Sequence, residues 1–301
     1  MTCISDAIRL LAGALCVAVS SPEDRSIVEA DLVPISLMMR KLRHRYWLPP
    51  LFLQSIAWPP VRILLRVFCR FEVIGLDRVK GLRQAIFAAN HCSELDPILV
   101  TAALPWLGRF APFFYVVAPV EAFSNKEKKA RYGWRQRLYT SGWFFHAWGA
   151  YPNVPGHRDY ATSLQNTIAV MRDGGSMCMF PEGKLSKTGT IQEARGGVAY
   201  LSHATDVPVV PVAIIGSFRM SAKVFFNRQR TIKVVFGEPV FARECMPQDA
   251  PSVDDFHVTA QEYMRRVSIL MDAFQTGPQS VGVRERLVVE AAQGRRGNLY
   301  M

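Results

Sequence analysis

The sequence lacks an uninterrupted apolar run of about 20 residues, the length that a membrane-spanning helix requires. The apolar run over residues 10–19 is only half that length. Because Arg9 precedes it, a signal peptide is one interpretation of this segment. The Ser-Ser-Pro sequence at 20–22 is a poor cleavage site, so an amphipathic or loosely ordered leader is the alternative. We assign residues 1–39 to a leader and leave both interpretations open.

The sequence also lacks a cysteine framework, although it contains six cysteines. They are scattered, none forms a CxxC pair, and several lie in apolar runs. Paired cysteines at close spacings mark zinc sites or disulfide scaffolds, and neither class fits this pattern. We therefore expect mostly reduced thiols and a protein that faces the cytosol.

Acidic residues are fewer than basic ones: the sequence has 25 aspartates and glutamates and 36 lysines and arginines, which gives a formal net charge of +11. Such an excess predicts an anionic partner, which is nucleic acid, anionic lipid or a phosphorylated substrate. Half of the 301 residues are hydrophobic, enough for the core of one large domain with extensions or of two small domains. The sequence has no internal repeat.

Residues 40–70 combine a basic cluster, aromatic residues and an apolar stretch. Two proline pairs predict that this stretch is broken into two short helices. Arg62, Arg66 and Arg70 recur at a spacing of four and would lie on one helix face. Basic, aromatic and apolar side chains together favour a helix pair at the membrane interface. The alternative is the solvated basic face of an ordinary core helix.

From residue 71 the pattern changes to short apolar runs that are typical of strands, alternating with helical patterns. Alternation of this kind predicts an α/β fold with a mostly parallel central sheet flanked by helices. The domain should span residues 71–275, with a C-terminal helix or tail over 276–301. The strand-like runs are 71–74, 85–89, 113–117, 177–180, 207–215 and 231–236, and the clearest helical patterns are 161–171 and 198–204.

The stretch FAANHCSELDP, residues 87–97, ends a strand-like run with a cluster of polar residues. Functional side chains often gather at the carboxyl ends of strands in such sheets. His91 could take a proton from a hydroxyl near neutral pH, and Asp96 could fix its tautomer and stabilise the imidazolium. A simpler interpretation makes Asp96 the N-cap of a helix that starts at Pro97. A third interpretation is a metal site, although its ligands would be crowded in sequence: His91, Cys92, Glu94 and Asp96.

Two later stretches also place special residues at the end of apolar runs. In MFPEGKLSKTG, residues 179–189, Gly183 permits a close backbone approach or a positive φ, and Lys184 and Lys187 could hold a phosphate. An ordinary polar turn is the alternative. In VPVVPVAIIG, residues 207–216, two prolines interrupt an apolar run, which favours a strand that is irregular or lies at a sheet edge.

Residues 124–145 interleave lysine and arginine with tyrosine and tryptophan. Bases of single-stranded nucleic acid could stack on such aromatics, but phospholipid headgroups or a phosphorylated cofactor would also suit the segment. A solvated helix face is the plainest alternative. The segment therefore does not by itself identify the anionic partner.

Together these stretches resemble the sequence blocks of the glycerolipid acyltransferase family, which includes bacterial 1-acylglycerol-3-phosphate acyltransferases. The first stretch matches the family's Asn-His-x-Ser-x-x-Asp block at Asn90, His91, Ser93 and Asp96. One such block would be weak support, but several in the family's order are strong. The other matches are Phe-Pro-Glu-Gly at 180–183, Val-Pro-x-x-Pro-Val at 207–212, ARGGVAYL at 194–201 and FGEPV at 236–240, and the resemblance covers roughly residues 70–245.

The resemblance implies a membrane-associated O-acyltransferase of phospholipid biosynthesis. Such an enzyme would move a fatty acyl group from acyl-CoA or acyl-carrier protein to the hydroxyl of a lysophospholipid, with 1-acylglycerol-3-phosphate as the leading acceptor. The resemblance implies no metal or redox cofactor and no nucleic-acid partner. It places the protein on membrane phospholipids at the cytosolic face, which in a bacterium is that of the inner membrane.

The resemblance also implies roles for individual residues. His91 would be the general base and Asp96 its orienting partner, while Glu182 and Gly183 would help to position the glycerol phosphate. Lys184 provides a cation where the family often has threonine or arginine, so phosphate binding is still expected there. The full set of expected substrate-binding residues is Asn90, Ser93, Arg158, Glu182, Gly183, Lys184 and Arg195.

One departure from the family pattern bears on the acceptor. The family's second block is a glycine followed six residues later by arginine, but Pro155 occupies that position here, and Arg158 is the nearest candidate replacement. An acyltransferase for a non-glycerol lipid is therefore an alternative. Another is a non-enzymatic lipid-binding module of the same fold, although such a module would have no need for the base that His91 provides.

Overall fold

The computed structural model describes residues 45–117, 142–153, 159–228, 230–246 and 251–275. Four segments interpreted above lie outside these described residues: the leader over 1–39, most of the basic cluster (residues 40–44), most of the basic aromatic segment 124–145, and the terminal segment 276–301. What the sequence predicts for them stays a prediction.

The α/β fold is confirmed, because the described strands form one seven-stranded, mostly parallel sheet. The strands are β1 (Glu72–Ile74), β2 (Ile86–Ala89), β3 (Phe113–Val117), β4 (Ala150–Pro152), β5 (Ser176–Met179), β6 (Val209–Ile215) and β7 (Lys233–Phe236). Their order is β1-β7-β6-β2-β5-β3-β4, and neighbouring strands run parallel except β6 and β7. All six predicted strands are present. β4 was not predicted, because its three residues are too few to form an apolar pattern.

Of the two alternatives predicted for residues 207–216, an edge strand and an irregular strand, β6 is the irregular one. It lies in the interior of the sheet, with β2 on one side and β7 on the other. Pro211 is tolerated there because the pairing between β6 and β7 steps by one residue beside it. The missing N–H of Pro211 falls where the ladder is irregular, while its carbonyl accepts the N–H of Gly237 at 2.8 Å.

Helices cover both faces of the sheet, and alternate residues of β2 enter opposite layers. The helices are α1 (Leu48–Cys69), α2 (Asp96–Ala103), α3 (Gly142–Trp148), α4 (Tyr160–Ser163), α5 (Gln165–Arg172), α6 (Gly197–Thr205), α7 (Ala222–Phe226) and α8 (Val253–Phe274). Ile86 and Ala88 pack in the layer of α5, α6 and α8, whereas Phe87 and Ala89 pack in the layer of α1 and α2. β2 is therefore buried on both faces, as expected for a central parallel strand.

α1 corrects the prediction of two short helices, since it runs without a break from Leu48 to Cys69. The first proline pair occupies the first turn, where an N–H has no helical acceptor in any case. The second pair lies inside the helix. Pro59 leaves the carbonyl of Ser55 without its helical donor, and the indole N–H of Trp106 donates to that oxygen at 3.0 Å instead.

The exposed side of α1 differs from that expected for a core helix in water. Its buried side includes the polar residues Gln54 and Arg62, while its exposed side is rich in large apolar residues. Arg62 is 5% exposed and donates to the carbonyl of Ala102, so it does not belong to the outward basic face that its spacing predicted. The exposed apolar residues of the helix are Leu48, Phe52, Ile56, Ile63, Leu64 and Val67.

α1 also bears on membrane association. Within the described ranges it is the helix whose length and composition would allow it to cross a membrane, with a mean hydropathy of 1.3 over its most apolar window. Gln54 and Arg62 interrupt the apolar run in the sequence, but both side chains turn inward in the structure.

Candidate active site

The turn between β2 and α2 carries the first of the predicted site residues. β2 ends at Ala89, and α2 begins at Asp96 with Pro97 in its first turn. β2 lies between β5 and β6, and both of these strands run parallel to it. The carboxyl ends of the three strands therefore bring residues 180–183 and 216–217 to the same edge of the sheet as the turn.

Asp96 is fully buried, and its carboxylate is the centre of a hydrogen-bond network. Oδ2 lies 3.0 Å from Nδ1 of His91 and accepts the backbone N–H groups of Cys92 at 2.7 Å and Ser93 at 2.8 Å. Oδ1 accepts the hydroxyl of Ser217 at 2.8 Å. Asp96 is the first residue of α2 and its side chain turns back to the preceding loop, so the interpretation as a helix N-cap is wrong.

His91 is held by contacts to its ring. The ring stacks on Phe180 with the two centroids 4.1 Å apart, and the side chain is 20% exposed. The carboxylate of Asp96 can only accept hydrogen bonds, so a neutral imidazole carries its proton on Nδ1 and keeps a lone pair on Nε2. A histidine fixed in this tautomer can take a proton at Nε2.

Glu182 positions the backbone of His91. Its side chain is buried, Oε1 accepts the N–H of His91 at 2.9 Å, and Oε2 accepts the N–H of Gln192 at 3.0 Å. Burial raises the pKa of Glu182, and the two N–H groups act in the opposite direction. Each carboxylate oxygen thus accepts one backbone N–H group, and the predicted part of Glu182 in positioning the glycerol phosphate stays a prediction.

Asn90 and Ser93 make hydrogen bonds within the turn, and their predicted contact with substrate stays a prediction. Asn90 is 2% exposed, and its amide donates to the carbonyl of Ile214 at 3.0 Å and accepts the N–H of the same residue at 2.7 Å. It thereby ties the end of β2 to β6. Ser93 is buried as well, and its hydroxyl oxygen accepts the N–H of Leu95 at 3.2 Å. Both side chains stabilise the turn.

Two serines that the sequence did not single out complete the network. Ser217 follows the end of β6 and is fully buried. Its hydroxyl lies 3.2 Å from Sγ of Cys92 and donates to the carboxylate of Asp96. The N–H of Ser186 donates to the carbonyl of His91 at 2.7 Å. Ser217 could have been predicted as a site residue from its position at the carboxyl end of β6, but only if the strand order that places β6 beside β2 were known.

The cysteines near the site are not activated nucleophiles. Burial raises the pKa of Cys92 to about 11, and the carboxylate of Asp96 adds to this effect. Burial likewise raises the pKa of Cys178. Both residues therefore remain protonated thiols at neutral pH. The four cysteines in the described ranges, Cys69, Cys92, Cys178 and Cys245, are free.

The third interpretation of the turn, a metal site, finds no support in the geometry. Across the part of the chain that the structure describes, no group of three or more His, Cys, Asp or Glu side chains is placed to hold one ion. His91 and Asp96 bond to each other instead.

An open recess next to the loop over residues 182–186 carries the exposed cations of the site. Its charged and titratable lining residues are Lys184, Arg195, Glu182, Glu193 and His257 of α8. Oε1 of Glu193 lies 3.1 Å from Nε2 of His257. The recess thus offers two exposed cationic side chains to an anionic group.

Gly183 allows the loop to pass Arg195 at close range. Its φ is 65°, and a Cβ at this position would lie 2.9 Å from Nε of Arg195. The positive φ is the conformation that favours glycine here. Arg158, the remaining predicted phosphate ligand, lies outside the described residues, so its role stays a prediction.

Comparisons with known proteins agree with the motifs. A model of the acyltransferase family matches residues 133–215, a range that contains the Phe-Pro-Glu-Gly block but not the turn with His91. A relative from Mycoplasma pneumoniae, described as a probable 1-acyl-sn-glycerol-3-phosphate acyltransferase, is 25% identical over 170 residues. These residues cover 52% of this chain and 57% of the relative, so the chain spans little more than half the length of that protein.

A solved structure shares the fold. The 1-acyl-sn-glycerophosphate acyltransferase PlsC from Thermotoga maritima aligns with a TM-score of 0.51, over 90% of this chain and 99% of that protein. The two sequences are 17% identical in this alignment. At that identity the likeness concerns the fold alone.

Proposed function

We propose that this chain, whose resemblance to the glycerolipid acyltransferase family the comparisons confirm, is an O-acyltransferase that acts on a lysophospholipid. The acyl group comes from acyl-CoA or acyl-carrier protein, and 1-acylglycerol-3-phosphate is the acceptor we favour. The observation that carries the proposal is the 3.0 Å contact between Nδ1 of His91 and the buried carboxylate of Asp96.

In the proposed reaction the acyl group passes directly from donor to acceptor. Nε2 of His91 takes the proton of the acceptor hydroxyl while the hydroxyl oxygen attacks the thioester carbonyl carbon. A C–O bond forms, and the tetrahedral intermediate then collapses with cleavage of the C–S bond. The leaving thiolate takes the proton from the imidazolium of His91, which Asp96 stabilises while it exists. The protonated state of Cys92 supports direct attack over a cysteine acyl intermediate.

We assign recognition of the acceptor's phosphate to the recess beside the turn. Lys184 lies in the loop over residues 182–186, and this loop contacts the backbone of His91 at both of its ends, through Glu182 and Ser186. A phosphate bound by Lys184 and Arg195 would therefore be held next to the proposed base. Arg158 would supply a third cation.

The proposed acceptor resides in a bilayer, so the protein must reach a membrane surface. The exposed apolar side of α1 supports attachment there, because burying it in lipid removes its large side chains from water. The free thiols of the described cysteines suit the reducing cytosolic side. We therefore propose a protein attached to the cytosolic face of a membrane.

The experiment that tests the function measures thiol release from a long-chain acyl-CoA, and separately from acyl-carrier protein, by the purified full-length chain. Lysophosphatidate, lysophosphatidylcholine and a long-chain alcohol serve as three alternative acceptors. We expect release that depends on lysophosphatidate and yields one molecule of phosphatidate per thiol. Activity with the alcohol alone would point to a non-glycerol acceptor. Lipid binding without release from either donor would favour the lipid-binding module.

A further inference from the structure

A second basic and aromatic surface lies beyond the end of β6, and the proposed reaction makes no use of it. We call it the α7 surface and define it by the exposed or half-exposed side chains of Arg219, Lys223, Phe225, Phe226 and Arg228. The sequence from 216 to 237 contains no aspartate or glutamate. The surface therefore carries positive charge without neighbouring acidic residues from its own segment.

The most unusual member of the α7 surface is Phe226, whose side chain is 58% exposed. The cationic side chains of Arg219, Lys223 and Arg228 are exposed near it in sequence. Exposing a phenylalanine to water is unfavourable, and a large exposed apolar group rimmed by polar residues marks an interaction site. The combination of apolar and basic side chains is typical of elements that lie in a membrane interface.

The α7 surface continues the exposed apolar side of α1. The rings of Phe225 and Phe226 lie with their centroids 5.5 and 5.2 Å from that of Phe68 in α1. Leu64, which is 45% exposed, precedes Phe68 by one helical turn and so lies on the same face of α1. The guanidinium of Arg228 sits 5.7 Å from the centroid of Phe68. Leu64, Phe68 and Phe226 thus form a continuous apolar strip with a cation at its border.

The α7 surface is fixed relative to the candidate active site. Ser217, the partner of Asp96, immediately precedes it in the chain. Phe218 packs against Gly189, where a Cβ would lie 2.8 Å from the phenylalanine ring. The guanidinium of Arg230 donates to the carbonyl of Phe218 on the other side. A bilayer in contact with this surface would therefore be held close to the edge of the sheet that carries His91.

We propose that the α7 surface is a second bilayer contact, in which Phe226 enters the lipid interface and the surrounding cations bind anionic lipid headgroups. An anionic bilayer is the occupant that accounts for all three observations: unbalanced positive charge, an exposed ring, and continuity with the apolar side of α1. A nucleic acid would use the cations but would leave the apolar strip in water. The proposal extends the membrane attachment proposed for α1 and does not depend on the reaction.

The test is partitioning of the full-length chain onto vesicles of phosphatidylglycerol and phosphatidylcholine at low and high salt. We compare Phe226→Ser with Val258→Ser, because Val258 is 68% exposed on α8, in the opposite helical layer. We also compare Lys223→Gln/Arg228→Gln with Lys80→Gln/Arg83→Gln, an exposed pair in the turn before β2 that carries the same charge. Phe226→Leu is the conservative variant and should bind as the wild type does.

We expect Phe226→Ser to weaken partitioning about tenfold at both salt concentrations, since the lost contact is apolar. The Lys223→Gln/Arg228→Gln variant should lose on the order of tenfold at low salt and much less at high salt. The Val258 and Lys80/Arg83 controls should change little.

If the α7 variants bind as tightly as their controls, the α7 surface is not a bilayer contact. If the wild type itself fails to bind vesicles, the proposed membrane attachment fails as well. Binding to an oligonucleotide is measured on the same variants. If the α7 variants lose that binding but still bind vesicles as the wild type does, the cations belong to a nucleic-acid site and the proposal is overturned.

Discussion

The turn between β2 and α2 and the recess that holds Lys184 and Arg195 lie side by side but are built differently. In the turn, the Asp96 carboxylate is fully buried and has four hydrogen-bonding partners. In the recess, both cationic side chains are exposed. Proton transfer requires a fixed geometry, whereas attraction of a phosphate requires mainly charge. The difference is consistent with our proposal that the turn performs the chemistry and the recess recognises the acceptor.

His91→Ala should produce the largest effect, because it removes the proposed base from the turn. We expect turnover to fall by about 10²- to 10⁴-fold, the usual contribution of a general base. The measurement is lysophosphatidate-dependent thiol release by purified, folded protein. His203→Ala, at an exposed position on α6, is the matched control and should retain activity. Near wild-type turnover of folded His91→Ala would contradict the assignment of the turn to chemistry.

Asp96→Asn should rank second. An amide oxygen in the place of Oδ2 can still accept hydrogen bonds from Nδ1 of His91 and from the two backbone N–H groups, but the amide nitrogen cannot accept the hydroxyl of Ser217, and the negative charge is lost. The imidazolium of His91 then lacks its carboxylate partner, so we expect turnover to fall by about 10²-fold. Thermal unfolding measured on the same sample separates this effect from loss of the fold. Full activity in the variant would show that the negative charge of Asp96 beside His91 has no role in turnover.

Ser217→Ala sharpens the comparison, because it tests a residue that contacts the turn but not the recess. Losing one hydrogen bond to a buried carboxylate should lower turnover by about tenfold and leave the acceptor KM unchanged. Ser202→Ala is the matched control, since its hydroxyl is also buried and donates to the carbonyl of Val207 at 2.7 Å, away from the site. Equal losses of turnover in the two variants would indicate a general effect on stability.

Lys184→Ala should have the smallest effect of the four variants. Its effect should appear in the KM for the acceptor and not in turnover. An exposed cation contributes about 1 kcal/mol or less to binding a phosphate, so the acceptor KM should rise about two- to fivefold. Turnover and the KM for acyl-CoA should change little. Lys80→Ala, another exposed lysine, provides the control. An equal rise in the KM of both substrates would mean that the recess does not select the acceptor.

Local patterns in the sequence were enough to predict six of the seven described strands and the position of the turn. The apolar run before Asn90 and the proline at 97 locate a strand end and a helix start, because these signals act within a few residues. His91 and Asp96 are five residues apart, so a single turn can bring them together. Their meeting follows from local geometry.

Features that depend on distant contacts could not be predicted in the same way. Ser217 reaches Asp96 across 121 residues of sequence, and their proximity follows only from the placement of β6 beside β2. The continuity of α1 through its second proline pair depends on the indole of Trp106, which no helix rule includes. The role of Glu182 likewise depends on its hydrogen bond with the backbone N–H of His91, which follows the end of a different strand.

The central claim is that the acyl group moves directly from donor to acceptor while His91 acts as the base, and rapid-quench analysis of the wild-type chain tests it most directly. Acyl-CoA labelled in its acyl group is mixed with the protein, with and without lysophosphatidate, and both lipid and intact protein are analysed for the label. We predict label in phosphatidate only when the acceptor is present, and no acylated protein at any time. Label on the protein that forms and decays as fast as turnover would contradict the claim.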